Sequence, residues 1–276
     1  MSRTILLTGA TGFVGRQVLR ALDELGAHTR VIVRRGKESI LPKTPIIEAV
    51  ISTDDLFAES SNWWSRACVG IDTVIHVAWY AESGEYLHSE KNLDCLIGTL
   101  QLARGAAQSG VRRVVGVGTC FEYDLTIGDL SVDTPLRPLT PYGGAKAAAF
   151  LALSRWLPAQ SVEFGWCRLF YLYGEGEDAR RLVPTLHSKL SAGEIVELTR
   201  GDLVRDYLDV RVAAEQIVFA AMGDRTGAIN ICSGVPITVR ALAEQVADEY
   251  GRRDLLKFGA RQENPLDPPR VVGISS

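Results

Sequence analysis

Tyr142 and Lys146 stand four residues apart in Thr140-Pro-Tyr-Gly-Gly-Ala-Lys146. Pro138 and Pro141 halt the preceding chain, and the alanine-rich run over 145–153 predicts a helix with Pro141 near its first turn. On such a helix the phenol and the ammonium share one face, their Cβ atoms roughly 5–6 Å apart. That pairing suits proton transfer, because a neighbouring positive charge favours phenolate and is expected to lower the tyrosine pKa from about 10. Alone, the pattern is short and common and reads more readily as a surface tyrosine beside a solvated lysine.

A second constellation opens the chain. A β-type run over 4–8 breaks at Gly9-Ala-Thr-Gly12-Phe-Val-Gly15 and resumes as a helical pattern over 16–25, closed by Gly26. Strand, glycine turn and helix in that order let backbone N–H groups approach a pyrophosphate at the helix N-terminus, where the dipole favours negative charge. The next strand, 29–33, ends in Arg34-Arg35, and no Asp or Glu stands there. An acidic residue about 20 positions past the glycines takes the ribose 2′-hydroxyl of NAD, whereas arginine accommodates the 2′-phosphate of NADP. NADP(H) is therefore the expected cofactor, with NAD(H) second.

Composition narrows the partners. With 276 residues, 46% hydrophobic and 23% charged, the chain has ample material for a large core. A net charge of −3 and a pI near 5.9 argue against nucleic acid or an acidic membrane surface. No apolar run reaches the length of a spanning helix, and the N-terminus lacks the longer apolar stretch of a signal peptide. Cys68, Cys95, Cys120, Cys167 and Cys232 are odd in number and scattered, which predicts reduced thiols in a cytoplasmic setting. His28, His76, His88 and His187 show no ligand spacing, so no metal is expected.

Taken in order, further strands are predicted over 46–51, 73–78, 111–118 and 163–173, separated by a helical segment holding Trp63 and Trp64 and by helices over 89–109 and from Ala145. The aromatics of Trp79-Tyr-Ala-Glu-Ser-Gly-Glu-Tyr86 read either as the mouth of a pocket or as a cover for the sheet end. Alternation of strand and helix predicts an α/β fold: a Rossmann-type, doubly wound parallel sheet with ligands at the strands' carboxyl ends. The expected division is a dinucleotide-binding domain over 1–174 and a small C-terminal substrate lobe over 175–276. The second part reads as less regular: a helical stretch to 192, segments over 195–198, 205–209 and 228–232, and helices over 212–222 and 239–250, interleaved between a small substrate lobe and the main sheet.

These residues resemble the extended short-chain dehydrogenase/reductase family, the NAD(P)-dependent epimerase/dehydratase group acting on nucleotide sugars. Thr8-Gly-Ala-Thr-Gly-Phe-Val-Gly15 is similar to its Thr-Gly-x-x-Gly-x-x-Gly, Asp55-Leu56 to its adenine-side Asp-Leu, and His76-Val-Ala78 to the His-x-Ala closing its fourth strand. Thr119 falls at the catalytic Ser/Thr, Tyr142 and Lys146 at Tyr-x-x-x-Lys, and Arg205-Asp206 at the Arg-Asp before a late helix. The resemblance implies that Lys146 holds the nicotinamide ribose, that Tyr142 exchanges a proton with a sugar oxygen, and that Thr119 hydrogen-bonds that oxygen. It assigns the cofactor to Gly9, Thr11, Gly12, Phe13, Val14, Gly15, Arg34, Arg35, Asp55, Leu56, Val77, Ala78, Trp79, Tyr142, Lys146 and Phe170. The substrate falls to Trp79, Cys120, Tyr171, Arg205 and Arg261, the two arginines on its diphosphate.

Departures from the family pattern narrow the activity. Dehydratases follow the catalytic Thr with Asp-Glu, and here Cys120 and Phe121 stand instead, which disfavours elimination. Tyr171 and Cys95 replace family asparagines, and the chain ends about where relatives continue into another helix, so a more open substrate lobe is expected. The expected function is NADP-dependent reduction of the 4-keto group of a nucleotide-diphospho-deoxysugar. The alternative is a nucleotide-sugar 4-epimerase with bound NAD(P), and the non-enzymic one an NADP-binding sensor or scaffold. By analogy a homodimer forms through the 89–109 and Tyr142 helices.

Overall fold

In the computed structural model, which describes residues 4–264 and 267–275, the first half of the chain is a strand–helix alternation. It runs β1 (Ile5–Thr8), α1 (Phe13–Glu24), β2 (Thr29–Arg34), β3 (Ile47–Thr53), α2 (Ser61–Ala67), β4 (Thr73–His76), α3 (Lys91–Gln108) and β5 (Arg113–Thr119). A short β6 (Asp129–Leu130) precedes α4 (Pro141–Ala159), β7 (Glu163–Leu169) and β8 (Tyr171–Tyr173). Then come α5 (Leu182–Ser191), β9 (Val196–Leu198), β10 (Val204–Asp209), α6 (Val210–Met222) and β11 (Gly227–Ile231). The chain continues through β12 (Pro236–Thr238), α7 (Val239–Glu249), β13 (Leu256–Phe258) and β14 (Arg270–Gly273). Residues 1–3 and 276, the outer ends of the two expected domains, lie outside the described residues.

The main sheet has seven parallel strands in the order β11-β7-β5-β4-β1-β2-β3. Strand order reverses between β1 and β4, which opens a crevice at their carboxyl ends. Buried side chains of α1 and α6 pack against one face, those of α2, α3 and α4 against the other. Strands covered on both faces have no solvent side, so β1, β4 and β5 are buried throughout and read as unbroken apolar runs rather than alternating ones.

Helix α4 begins where the prolines place it. Thr140 caps it by accepting from Gly143 N at 3.2 Å and Pro141 takes the first position, so no N–H is lost from the ladder. It extends beyond the predicted 145–153 to Ala159, with Leu157 continuing its buried face.

The predicted strand over 163–173 divides in two. Phe170 N turns to Ile231 O at 3.2 Å, and Tyr171–Tyr173 leaves the main sheet to pair with β10 in a second sheet of order β12-β10-β14-β6. The last strands and helices are thus shared out: α6 and β11 complete the main sheet, while β9 and β13 pair with each other beside α5 and α7. Among the described residues no helix is long and apolar enough to cross a membrane.

Asp206 of β10 joins these sheets. Fully buried, it accepts from Ser233 N at 2.8 Å, Ser233 Oγ at 2.6 Å, Gly234 N at 2.9 Å and Gly273 N at 3.1 Å. The Asp of the Arg-Asp pair is therefore a structural clasp between β10, the turn after β11 and β14. Asp206→Ala would leave three N–H groups without their acceptor, the buried one of Gly273 among them, and is expected to lower unfolding stability by about 3 kcal/mol in urea titration; a loss under about 0.5 kcal/mol would contradict the clasp.

Candidate active site

The glycine turn is shaped by contact with β4. Gly9 has φ +78°, and a Cβ there would stand 2.7 Å from Ala78 N; one on Gly15 would collide with Gly9 O. Only glycine lets the turn press against the Val77-Ala78 backbone while α1 packs back onto it. Gly12 caps α1 without a side-chain bond, so no capping oxygen competes for the N–H groups of the first turn, which begins at Phe13 and Val14 after Thr11.

A buried relay pins this turn. His76 Nδ1 meets Thr8 Oγ1 at 2.8 Å and its Nε2 meets Thr99 Oγ1 at 2.9 Å. Thr99 donates its own proton to Cys95 O at 2.7 Å, so it must accept from His76, which places the imidazole proton on Nε2. Thr8 then donates to Nδ1 and accepts from Ala78 N at 3.3 Å. Burial, helped by the Lys146 charge, pushes the His76 pKa down to about 3, so it stays neutral at physiological pH.

At the far end of the site, Arg34 and Arg35 are exposed. Arg35 Nε is held by Asp54 at 2.6 Å, whereas Arg34 pairs with no carboxylate among the described residues. Asp55 accepts from Phe57 N at 2.9 Å and is exposed; Leu56 packs partly buried against the core.

The centre of the site forms where β5 ends against α4. Thr119 stands within hydrogen-bonding reach of the Tyr142 phenol. Lys146 is buried, donating to Val117 O with its Nζ 3.8 Å from the centroid of the Trp79 ring. Trp79 is oriented by Asn92 Oδ1 on α3, which accepts from its Nε1 at 2.9 Å. Tyr86 stacks edge-on against Tyr142 at 4.8 Å, so the aromatic stretch after β4 does wall the site.

One expectation fails here. Lys146 does not lower the Tyr142 pKa: burial raises the phenol well above its ordinary value, Tyr86 adds to this, and the Thr119 hydroxyl only partly opposes it. Burial also brings Lys146 down to about 7 against the pull of Glu122 and Cys95, and its proton is directed at Val117 O. Desolvation outweighs the pairwise attraction that helical spacing alone suggests.

Next to Thr119, Cys120 is buried, its thiol pushed up to about 12 by burial and lying within the field of Arg205. Arg205 is buried, donates to Val204 O and Pro268 O at 2.9 and 2.8 Å, and lies 5.3 Å over the Tyr171 ring, which in turn packs on Tyr207. No carboxylate among the described residues pairs with it. The Phe170 ring is committed to a core with Cys120, Leu130, Cys232 and Val271, and the Arg261 side chain is exposed.

Residue-by-residue reading missed Glu122, Arg168, Asn92 and Thr99. The signal for the first two was Gly116-Val-Gly118 on β5: a methyl at either glycine would collide with Trp166, and at Gly118 with Glu122 as well.

The chain matches the model of the NAD dependent epimerase/dehydratase family over residues 5–232. It is 24% identical over 271 residues to dTDP-6-deoxy-L-talose 4-dehydrogenase (NAD(+)) of Aggregatibacter actinomycetemcomitans, covering 98% of each chain. It is 26% identical over 260 residues to dTDP-6-deoxy-L-talose 4-dehydrogenase (NAD(P)(+)) of Kitasatospora kifunensis, covering 90% of this chain and 79% of that one. Its fold superposes with TM-score 0.86 and 20% identity on UDP-N-acetylglucosamine 4-epimerase from Methanobrevibacter ruminantium M1, solved with UDP-N-acetylmuramic acid, over 100% of this chain and 90% of that one.

The buried, neutral His76 carries a pH signature. Its folded pKa lies below its unfolded value near 6.5, so its contribution is full above that value and is lost as pH falls toward the folded one. Between pH 6.5 and 5 the protein is expected to lose about 1.5 kcal/mol of stability that His76→Gln does not lose. Equal pH slopes in the two proteins, read by urea unfolding, would remove the neutral relay.

Proposed function

The chain belongs to the NAD dependent epimerase/dehydratase family, and from that premise we propose that it reduces the 4-keto group of a nucleotide-diphospho-deoxysugar with NADP(H). The carrying observation is the buried Arg205, without a carboxylate among the described residues, whose field reaches the same Cys120 thiol that neighbours Thr119 and Tyr142. A cation for an anion thus lies near the hydroxyl pair for a ketone, which is the demand a nucleotide diphosphate linked to a sugar makes. That the two relatives named above are sugar 4-dehydrogenases supports redox chemistry at the same carbon.

When bound, the nicotinamide supplies the hydride. The glycine turn and the uncapped start of α1 suit its pyrophosphate, Ala78 and Trp79 border its path, and Lys146 suits the ribose beside it. Tyr142 gives its proton to the oxygen that accumulates charge, and Thr119 donates a second hydrogen bond to that oxygen. A phenol kept protonated by burial is suited to giving a proton to a carbonyl.

Arg34 favours the phosphorylated carrier. Its guanidinium is available to a 2′-phosphate, while Arg35 is tied to Asp54. The epimerase reading uses the same three side chains and is supported by the similarity to UDP-glucose 4-epimerase of Streptomyces lividans; an epimerase consumes no net cofactor. Exposed Leu93 and Ile97 on α3 and Leu151 on α4 support a homodimer through these helices.

With a panel of nucleotide-diphospho-4-keto-6-deoxysugars, NADPH absorbance is expected to fall faster than NADH absorbance. Tyr142→Phe should keep NADPH binding and lose about 100-fold or more of kcat; unchanged turnover would rule out this acid. Arg34→Ala should reduce the preference for NADPH about 10- to 100-fold, and Arg35→Ala clearly less. Equal effects of the two would refute the division of labour between them.

A further inference from the structure

Directly behind Thr119 lies a carboxylate with no contact to solvent. Glu122 Oε1 accepts from Thr119 N at 2.8 Å and Trp166 Nε1 at 2.9 Å, and its Oε2 accepts from Arg168 Nε at 2.7 Å and Trp166 Nε1 at 3.1 Å. Thr119 Oγ1 in turn accepts from Phe121 N at 3.3 Å, so the turn after β5 is bonded at both ends. Arg168 is buried as well; it lies 4.5 Å over the Tyr123 ring and donates to Tyr123 OH at 2.9 Å, which donates to Asn230 Oδ1 at 2.7 Å.

Two glycines on one face of β5 exist to admit this group. Gly116 and Gly118 face Trp166, and Gly118 faces Glu122 too, so a methyl on either would drive the indole or the carboxylate out. Burying a carboxylate, a guanidinium and an indole N–H here costs desolvation that an apolar core would not incur. The arrangement does something apolar packing cannot: it fixes a backbone N–H and places a carboxylate, paired with Arg168, under the site.

We infer that Glu122 is a positioning residue for the reaction proposed above, on which this role rests: its carboxylate holds Thr119 beside Tyr142 and supplies the charge that the Lys146 ammonium faces. The groups around Lys146 leave Glu122 the main source of negative charge. From β4, His76 is neutral; from α3, Cys95 is a thiol raised to about 11; on α4 itself, Tyr142 is held protonated by burial. Trp79 and Trp166 present only ring faces, at 3.8 and 5.7 Å. Facing Glu122 in turn are Arg168, the Cys120 thiol and Tyr123, the last raised to about 12 by burial. Burial takes Lys146 down to about 7, and Glu122 is the largest influence holding it up.

The sign follows. A lysine with a depressed pKa loses its proton as pH rises, so removing the charge of Glu122 moves that loss to lower pH. Trp79 reports it without cofactor or substrate, because the ammonium rests on its ring and Trp79→Phe identifies its share of the emission. In the full-length protein the wild-type midpoint is expected near pH 7. Glu122→Gln should lower it by about one unit, and Glu122→Asp, which keeps the charge, should leave it in place.

The alkaline limb of the turnover profile should move with it in Glu122→Gln. Coincident midpoints in wild type and Glu122→Gln would overturn the assignment. Failure of both variants to fold would also overturn it, leaving Glu122 a fold determinant only. Should the wild type turn over no nucleotide sugar, the proposed function falls, and the tryptophan titration still decides the electrostatic role of Glu122.

Discussion

Keeping the amine of Lys146 out of water is the constraint around which this molecule is assembled. Taking an ammonium into a protein interior disfavours its charge strongly unless donors and fields are arranged to offset the loss. Here the offset comes from three elements at once: the Val117 carbonyl of β5, the face of Trp79 after β4, and the carboxylate of Glu122 at the end of β5. Each supporter is held by something further away. Asn92 on α3 turns Trp79, and the two glycines of β5 let Trp166 and Arg168 of β7 reach Glu122. The sheet order, with β4, β5 and β7 side by side, brings those pieces within reach of one another.

The same logic governs the other half of the crevice. The turn after β1 is pressed so tightly onto β4 that Gly9 has no room for a side chain, and the Thr8-His76-Thr99 relay bonds β1, β4 and α3 together behind it. Thr99 and Cys95 of that relay lie on the helix that also orients Trp79. The glycine turn and the Tyr142 centre therefore share a rigid support, which suits a reaction in which two bound partners must be aligned closely.

Much of this was legible from residues. The glycine turn, the parallel alternation and Pro141 at the head of the Tyr142 helix follow from local chemistry, and Thr119, Tyr142 and Lys146 do lie at one place. The break of the 163–173 run was not legible, because Phe170 satisfies its N–H across the sheet at Ile231 and nothing in the apolar pattern marks that exchange. Nor was the Tyr142 acidity: helix spacing gives a separation, but not the desolvation that raises the phenol and depresses Lys146 together. Arg34 and Arg35 read alike in sequence; Asp54, at the end of the neighbouring strand, makes them different. Asp206 carries no role in the sequence beyond its place in the Arg-Asp pair, and its clasp between sheets emerges only from partners far along the chain.

Isotope transfer tests the chemistry at Tyr142 most directly. With NADPH carrying deuterium at nicotinamide C4 and a nucleotide-diphospho-4-keto-6-deoxysugar as acceptor, mass spectrometry and proton NMR of the product should find one deuterium at sugar C4, introduced from one face, in wild type and not in Tyr142→Phe. A sugar consumed without deuterium at C4, or left unreduced across the whole panel of acceptors, would contradict hydride transfer to the sugar ketone at this site.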